Sequence, residues 1–571
     1  MGDFIKTQNT FADGEVAPEF YARDNINGLS KLENMYVLAG GGLSRRPGLE
    51  HVADLTSAAR LIAFSVSENE NYLLALTDEH ILIFSDGQEI EDIISPWDAG
   101  DLSKIQYAQR FGTIIFVHPD YQPYTLKKSD DEFILSAFNF AVNESDMTVY
   151  IPFMRFDDTE NLKITVLSNS AGSNYATFKT DEDFWTPDDV EGIFLLLEKQ
   201  WKITEYVNAK EVKAFVNGTY TVPSAPVSDW REAAFSKKRG WPCSITFHQD
   251  RLVFGGSRSW PSGVWLSQVG RHNNFNVGTG LDDEAIFITL LSQQRQQICT
   301  VVSSDNLQIL TSTGEWAISS KPLTPSVVDV KQHTSVGSVA SRYLPPQKIE
   351  GSTVFISSSK KDIRELSLDQ LGENYNATDL CALSKHLMQD PVDLSYNEEM
   401  RQLFVVMNSG DMAVLNKNSA LGISAWGTYK TQGTFKSVAT VQGETFVVVI
   451  RNENAFLEKF SESALQDVDE YGFSFTASAL PVRASGHNAN KLRLRKISAR
   501  VLNTKTLFIN EVRADLPNEI YNETFDGYSG DVSINLLGCQ RNCINAPWTI
   551  KSSEQLPATV LSVSMYGYYL V

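Results

Sequence analysis

Two polar clusters contain residue types that could carry out hydrolysis. In the first, Asp282, Asp283 and Glu284 directly follow a Gly-Thr-Gly turn. Many glycosidases cleave with a pair of carboxylates held at a controlled separation. Because successive residues of a strand point to opposite faces, at most two of these three carboxylates could act on one target. A solvated acidic loop is the favoured interpretation, and a glycan-cleaving site is the alternative.

The second cluster pairs His248 with Asp250 on a segment of strand character. On a strand these two side chains share a face, as an oriented general base requires. The sequence contains neither a Gly-x-Ser-x-Gly elbow nor a His-Glu-x-x-His motif. We therefore interpret the pair as part of a hydrogen-bonded turn. We predict no catalytic residues and expect a protein that is not an enzyme.

The chain has five cysteines, and only Cys539 and Cys543 are close together in sequence. Such a pair could bind a metal or form a disulfide, but a zinc site needs further ligands, and no His or Cys follows Cys543. We predict no metal and no cofactor. Cys243, Cys299 and Cys381 are expected to be buried free thiols.

A glycine run at residues 40–42 precedes Leu43-Ser44-Arg45-Arg46-Pro47-Gly48. A phosphate-binding P-loop needs Gly-Lys followed by Ser or Thr at this point, and proline lacks the N–H group that a phosphate cradle uses. The segment is instead typical of a tight turn that carries an exposed arginine pair. We predict an assembly contact formed by Arg45, Arg46, Pro47 and Gly48.

Lys491, Arg493 and Arg495 form a second basic feature, because they share one face of a predicted strand. A solvated strand face is the favoured interpretation of this basic stripe, and the alternatives are a contact with DNA or with an acidic patch on a neighbouring subunit. Of the two contacts we favour the subunit, because a strand that binds phosphates tightly would hold back any DNA that moves past it.

The elements that hold these residues are predicted to be mainly β-strands. Short apolar strands separated by polar turns form meanders at seven places. These meanders span residues 61–84, 105–126, 245–266, 298–318, 354–368, 403–415 and 437–460. Such repetition is typical of a β-propeller, so the predicted fold is a β-propeller with an inserted β domain and a C-terminal β domain.

The predicted domain boundaries follow from changes in this rhythm. The ranges are 1–60 for an N-terminal arm and assembly segment, 61–135 for the first blades, 136–235 for the inserted β domain, 236–470 for the remaining blades and 471–571 for the C-terminal β domain.

Overall charge limits the classes of partner. The 571 residues carry a net charge of −21, whereas a protein that grips DNA needs a basic face. An ordinary acidic surface is the favoured interpretation of this charge, whereas in a ring through which DNA slides a negative lumen would keep the DNA from sticking. No apolar run approaches the ~18 residues of a membrane helix, and no secretory signal is visible at the N-terminus. We expect synthesis and assembly in a cytosol.

Nine short blocks, in a fixed order along the chain, carry a resemblance to a known family. They are Phe-x-x-Gly-Glu-Val-x-Pro-Glu at 11–19, Arg-Asp at 23–24, Leu-Glu-Asn at 32–34, Gly-Gly-Leu-x-Arg-Arg-Pro-Gly at 41–48, Arg-Gly-Trp-Pro at 239–242, Phe-His-Gln-Asp-Arg-Leu-Val-Phe-Gly-Gly-Ser at 247–257, Val-Trp-Leu-Ser at 264–267, Leu-Thr-Pro-Ser at 323–326 and Ser-Lys-His-Leu at 384–387. This order resembles the tail nozzle family of short-tailed bacteriophages, also called tail tubular protein B. The resemblance stops near residue 460.

The resemblance implies a structural subunit of the virion tail, assembled in the host cytoplasm. Such subunits form a homo-oligomeric ring, expected to be a hexamer, that continues the DNA conduit below the portal and adaptor. The ring would anchor tail fibres or spikes and let genomic DNA pass without specific binding. Two alternatives are a propeller-based tail protein that binds or cleaves glycans, and a cellular propeller scaffold. The second lacks repeated Trp-Asp signatures, since Trp97-Asp98 occurs once.

Overall fold

The computed structural model describes residues 3–21, 23, 25–129, 132–168, 174–218, 220–221, 223, 225–369, 371–468, 471–482, 491–517, 527–536, 540–542 and 546–570. Within these ranges the chain forms seven meanders of four antiparallel strands, a separate inserted sheet and a pair of C-terminal sheets. Helical structure in the same ranges is limited to short 3-10 turns. These turns are Pro18–Phe20, Leu102–Lys104, Asp157–Thr159, Pro187–Asp189, Lys385–Leu387 and Ser419–Leu421.

The seven meanders are the blades of a propeller, numbered here in chain order. Blade 1 contains Arg60–Ser67, Glu70–Thr77, His80–Ser85 and Gln88–Ile94; blade 2 contains Gln106–Arg110, Thr113–His118, Tyr121–Ser129 and Glu132–Ala137. Blade 3 contains Ser244–His248, Arg251–Gly255, Gly263–Leu266 and Ile286–Thr289; blade 4 contains Ile298–Ser303, Leu307–Thr311, Glu315–Ile318 and Val330–Thr334. Blade 5 contains Gln347–Ile349, Ser352–Ile356, Ile363–Leu368 and Tyr375–Asp379; blade 6 contains Pro391–Asn397, Gln402–Met407, Met412–Asn418 and Ile423–Tyr429.

Blade 7 is closed by a strand from the N-terminal part of the chain. Its first three strands are Thr434–Val441, Glu444–Arg451 and Asn454–Ser461, and its outermost strand is Gly48–Leu55. Closure by a distant strand removes a free sheet edge and ties the two ends of the propeller together. The ring also closes at its centre, where the Leu61 N–H of blade 1 donates to Ser437 Oγ of blade 7 at 2.9 Å.

The buried strands of the blades are continuous apolar runs, which explains why the meanders are visible in sequence. In the second strands of blades 1, 4, 6 and 7 nearly every residue is buried, because each blade packs against a neighbour on both faces. The cores between blades therefore alternate around the ring, with one apolar cluster spanning blades 7 and 1 and another spanning blades 1 and 2.

The inserted domain is a seven-stranded antiparallel sheet between blades 2 and 3. In spatial order its strands are Phe153–Met154, Trp230–Ala233, Ile193–Leu196, Lys199–Asn208, Glu211–Val216, Tyr175–Thr180 and Ile164–Ser168. Buried aromatic residues fill its core, including Phe178, Trp185, Trp201 and Trp230.

The C-terminal domain is built from both ends of the chain. One sheet contains Met35–Val37, Leu43–Arg45, Thr559–Leu570, Lys491–Thr504 and Tyr528–Asn535, with Asp3–Gln8 and Gln540–Asn542 paired at its sides. The other continues from blade 6 through Leu29–Glu33, Phe475–Ala479, Thr549–Ser552, Phe508–Ile509 and Val512–Arg513. One apolar cluster joins residues of both termini, so the N-terminal segment is part of a folded unit rather than an independent arm.

The predicted fold class, a mainly β chain with a propeller, an inserted β domain and a C-terminal β domain, is confirmed. No helix of the described residues is long and apolar enough to cross a membrane.

Candidate functional site

The arginine pair of the Gly-Gly-Leu-x-Arg-Arg-Pro-Gly block lies inside the molecule. Arg46 is 1% exposed and forms a bidentate ion pair with Asp467, with Nη1–Oδ1 and Nη2–Oδ2 distances of 3.0 and 2.8 Å. Its Nε donates to Asn34 Oδ1, while Nη1 and Nη2 also donate to the Pro47 and Lys430 carbonyl oxygens. All five N–H donors of the guanidinium thus have acceptors.

Arg45 is also buried, at 7% exposure. Its Nη2 donates to the Leu465 carbonyl oxygen and, at 2.7 Å, to Gln555 Oε1, and its guanidinium carbon lies 4.2 Å from the centre of the Phe473 ring. Burial lowers the pKa of this guanidinium to about 10, and the charge of Arg46 adds to the effect.

The expectation of an exposed arginine pair is therefore wrong. Both guanidinium groups join the N-terminal segment to the end of the propeller and to the C-terminal domain. Contacts with residues more than 400 positions away produce this burial, since Asp467 is 421 residues from Arg46. The assembly role assigned to Arg45, Arg46, Pro47 and Gly48 stays a prediction, because no contact with another chain is described.

Two further resemblance blocks meet at the N-terminal segment. Glu15 Oε1 lies 2.9 Å from His386 Nε2, and Ser384 Oγ donates to the Glu15 carbonyl oxygen at 2.5 Å. The other carboxylate oxygen of Glu15 accepts the Leu32 N–H at 2.7 Å. Residues from the blocks at 11–19, 32–34 and 384–387 thus share one hydrogen-bonded junction.

The backbone conformation and the surroundings of Gly14 require a glycine at this position of the junction. Its φ is +58°, and an added Cβ would lie 2.4 Å from the Trp426 backbone nitrogen. The Glu15 N–H donates to the Trp426 carbonyl oxygen at 2.7 Å, which holds the segment against the outer strand of blade 6. Any other residue would be strained and would separate these two backbones.

A second junction joins the blocks at 247–257 and 323–326. Arg251 is fully buried, and its guanidinium donates to the Ser267, Asp282 and Glu284 carbonyl oxygens at 2.7, 2.8 and 2.6 Å. Gln249 Oε1 accepts the Leu323 N–H at 2.8 Å. Arg251 therefore fixes the loop that carries the acidic cluster.

Arg239, from the block at 239–242, lies in the connection from the inserted sheet to blade 3 and is bound to the inserted domain. It lies 2.6 Å from Glu232 Oε1 on the sheet and makes a bidentate contact with Asp158, both distances being 2.9 Å. Hydrogen bonds and charge from Glu232 and Asp158 outweigh burial and raise the pKa of this guanidinium.

The acidic cluster is bound into its own loop. Glu284 Oε2 accepts the N–H groups of Thr279, Gly280 and Leu281 at 2.7, 2.6 and 2.8 Å. Asp283 Oδ2 accepts the side-chain amide of Gln268 at 3.1 Å. These contacts give two of the three carboxylates structural partners, which favours the interpretation as a structured loop over a carboxylate pair.

His248 and Asp250 are not brought together. His248 ends a strand, and Gln249 and Asp250 have φ values of +45° and +58°, so they form a tight turn rather than continue the strand. His248 Nδ1 lies 3.0 Å from Ser303 Oγ, whereas Asp250 pairs with Arg110 at 2.7 Å. Burial lowers the pKa of His248 to about 4. The expected hydrogen-bonded turn is what the structure contains.

The basic stripe lies on the long strand Lys491–Thr504, where the Lys491 side chain is outside the described residues. The guanidinium groups of Arg493 and Arg495 lie 5.7 and 5.3 Å from the same ring, that of Tyr568. A register shift between Leu494 and Lys496 places Lys496 beside Arg495 on the exposed surface. The result is a broader basic patch than strict alternation predicts.

The described cysteines are free, as expected. Cys299 and Cys381 are buried and Cys243 is half-buried. Burial raises the pKa of the Cys243 and Cys299 thiols to about 12. Cys539 and Cys543 lie outside the described residues. Among the described residues, no group of three or more His, Cys, Asp or Glu side chains could hold a metal ion.

Sequence reasoning missed a cavity of about 600 Å³ that lies between residues of blades 2, 3 and 4. Its lining comes from the start of blades 2, 3 and 4 and from the connection between blades 4 and 5. The lining residues are far apart in sequence, so no local motif indicates the cavity.

Comparison with known proteins gives information about the fold of this chain and about no other property. No family model and no curated protein matches the sequence. Solved structures that are similar include BamB from Moraxella catarrhalis, at 9% identity over 72% of this chain and 98% of that chain with a TM-score of 0.34. The Cps50 (Swd1) β-propeller domain from Myceliophteria thermophila matches at 8% identity over 72% of this chain and 100% of that chain, with a TM-score of 0.35. YCF48 bound to D1 peptide matches at 10% identity over 73% and 98%, with a TM-score of 0.34. At these identities the similarity concerns the fold and carries no activity or partner to this chain.

Proposed function

We propose that this chain is a structural subunit of a bacteriophage tail, which forms a nozzle ring below the portal and adaptor. In this ring, expected to be hexameric, genomic DNA passes without specific binding, and fibres or spikes attach outside. The proposal begins from the resemblance of nine ordered sequence blocks to the tail nozzle family.

The observation that carries the proposal is the way these blocks meet in space. Glu15 contacts Ser384 and His386, and Gln249 contacts Leu323, so blocks separated by 74 to 371 residues are direct partners. Contact between them is expected if the blocks were retained together as the framework of one architecture.

The arginines of three blocks support the same interpretation. Arg46 binds Asp467 at the end of the propeller, Arg239 binds Glu232 and Asp158 of the inserted domain, and Arg251 binds carbonyl oxygens of blade 3 and its acidic loop. A buried arginine with matched acceptors fixes geometry, which a subunit of a rigid conduit requires. The resemblance blocks are thus framework residues, which fits a structural protein.

Ring formation needs a heterologous interface that closes, in which one surface of each subunit binds a different surface of the next. The basic patch of Arg493, Arg495 and Lys496 offers one such surface in a chain of net charge −21, where acidic partner surfaces are plentiful. We favour a contact between subunits over a contact with DNA at this patch.

The test is the mass of the assembly in solution. Light scattering on the purified chain is expected to give six times the 63.7 kDa chain mass, or, for the chain mixed with an adaptor ring, that mass added to the mass of the adaptor ring. A monomer alone and a hexamer on the adaptor would mean that the adaptor templates the ring. Monomers or trimers under both conditions would contradict the proposal.

A further inference from the structure

The cavity formed by blades 2, 3 and 4 has the charge of an anion-binding site. Its lining includes four basic side chains, those of Lys104, Arg258, Arg295 and Arg342, and it includes no Asp or Glu. The chain as a whole has 70 acidic and 49 basic residues. The charged residues of the lining are therefore all basic, although the protein as a whole is acidic.

Two of these four basic side chains form no ion pair among the described residues. Arg258 lies 3.1 Å from Asp120, and Arg342 pairs with Asp390, both acids standing outside the lining. Within the described ranges, neither Lys104 nor Arg295 has an ion-pair partner, and both are exposed. Uncompensated cations around a concave surface concentrate the positive potential there.

Buried polar atoms of the lining also lack partners. Gln106 is 5% exposed; its Nε2 donates to the Cys299 carbonyl oxygen at 2.6 Å, while its Oε1 has no hydrogen-bond partner among the described residues. The Nε of Arg342 is likewise buried without an acceptor in the described part of the chain. Leaving such atoms unpaired costs free energy that a polar ligand would recover.

We propose that this cavity binds a small, multiply charged anion, whose carboxylate or phosphate groups contact Lys104, Arg295 and Arg342. A donor group of the same ligand reaches Gln106 Oε1. The volume of about 600 Å³ is that of a small-molecule site, and a guanidinium fork matches carboxylate and phosphate geometry equally well. This inference does not rest on the proposed tail function.

The experiment is isothermal titration calorimetry on the full chain at low ionic strength, with citrate in one arm and pyrophosphate in the other. Saturable binding of at least one anion is expected. Tighter citrate binding would assign a carboxylate ligand, and tighter pyrophosphate binding a phosphate ligand. The double variant Lys104→Gln/Arg295→Gln should bind the preferred anion at least tenfold more weakly.

Two further variants supply a charge-matched control and a second test of the lining. Lys202→Gln/Arg495→Gln removes the same charges from the inserted and C-terminal domains and should bind as the unmodified chain does. Ser341→Asp adds a negative charge at an exposed lining residue and should weaken binding without removing a buried contact. Absence of saturable binding to both anions, or equal loss in the control, would overturn the inference.

Discussion

Arg46 illustrates how one residue can hold distant parts of this chain together. Its ion pair with Asp467 is fully buried, with both side chains at 0% exposure. Replacing Arg46 by alanine would leave the Asp467 carboxylate buried and unpaired, which typically costs about 3–5 kcal/mol. We expect Arg46→Ala to lower the apparent melting temperature and the denaturant midpoint, whereas Arg495→Ala, an exposed control, should change stability by less than about 0.5 kcal/mol.

The double variant Arg46→Met/Asp467→Leu tests whether the unpaired Asp467 carboxylate causes the loss of stability expected for Arg46→Ala. Because it removes both charges, it should recover a substantial part of the stability that Arg46→Ala loses. Equal stability of Arg46→Ala and the unmodified chain would contradict the buried ion pair.

His248 gives a prediction about pH. Burial lowers the folded-state pKa to about 4, while the unfolded side chain titrates near its ordinary value of about 6.5. The unfolded chain therefore binds more protons between these values, and the stability that His248 contributes is present above pH ~6.5 and lost as pH falls towards ~4. The loss should reach roughly 3 kcal/mol at most.

The measurement is the denaturant midpoint from pH 7 to pH 4 for the unmodified chain and for His248→Asn, which retains a side-chain polar atom near Ser303. The difference between the two should shrink as the pH falls. A constant difference would mean that His248 does not titrate in this window.

At the residue scale, the sequence predicted the role of the candidate residues better than it predicted whether they are buried or exposed. His248 and Asp250 do not form a pair because the chain turns at Gln249 and Asp250, and the sequence indicated such a turn. Burial of Arg45 and Arg46 could not be predicted, because their partners Asp467 and Gln555 are distant in sequence and nothing local marks them.

At the element scale, Gly14 holds the N-terminal segment against blade 6. Gly14→Ala would place a Cβ 2.4 Å from the Trp426 nitrogen at a φ of +58°, so we expect destabilisation of at least about 1–3 kcal/mol. Gly40→Ala is the matched control, since an added Cβ there meets nothing within 4 Å and its φ is not in the left-handed region. Equal melting temperatures for the two variants would contradict the described contact.

The blades themselves were predictable, because strands buried on both faces leave apolar runs separated by polar turns. The strand that closes blade 7 was not. Gly48–Leu55 has a mixed pattern with exposed and half-buried residues, and it pairs with Asn454–Ser461 from the other end of the propeller. Sequence alone therefore suggested an arm where the structure has an edge strand and part of the C-terminal domain.

At the scale of the whole molecule, the proposed ring makes the basic patch testable. Arg493→Glu/Arg495→Glu reverses two charges on an exposed strand face and should dissociate the ring or weaken it strongly, since like charges across an interface are costly. Lys179→Glu/Lys202→Glu is the control, because it makes the same change in charge on the inserted domain. Ring mass by light scattering, at low and high salt, reports the result. Unchanged assembly in the first variant would exclude this patch from the interface.

The most direct test of the central claim is negative-stain electron microscopy of the chain, alone and mixed with an adaptor ring. The account predicts class averages with sixfold symmetry and a central hole wide enough for duplex DNA. Compact particles without a hole, or single subunits in both samples, would contradict the tail nozzle proposal.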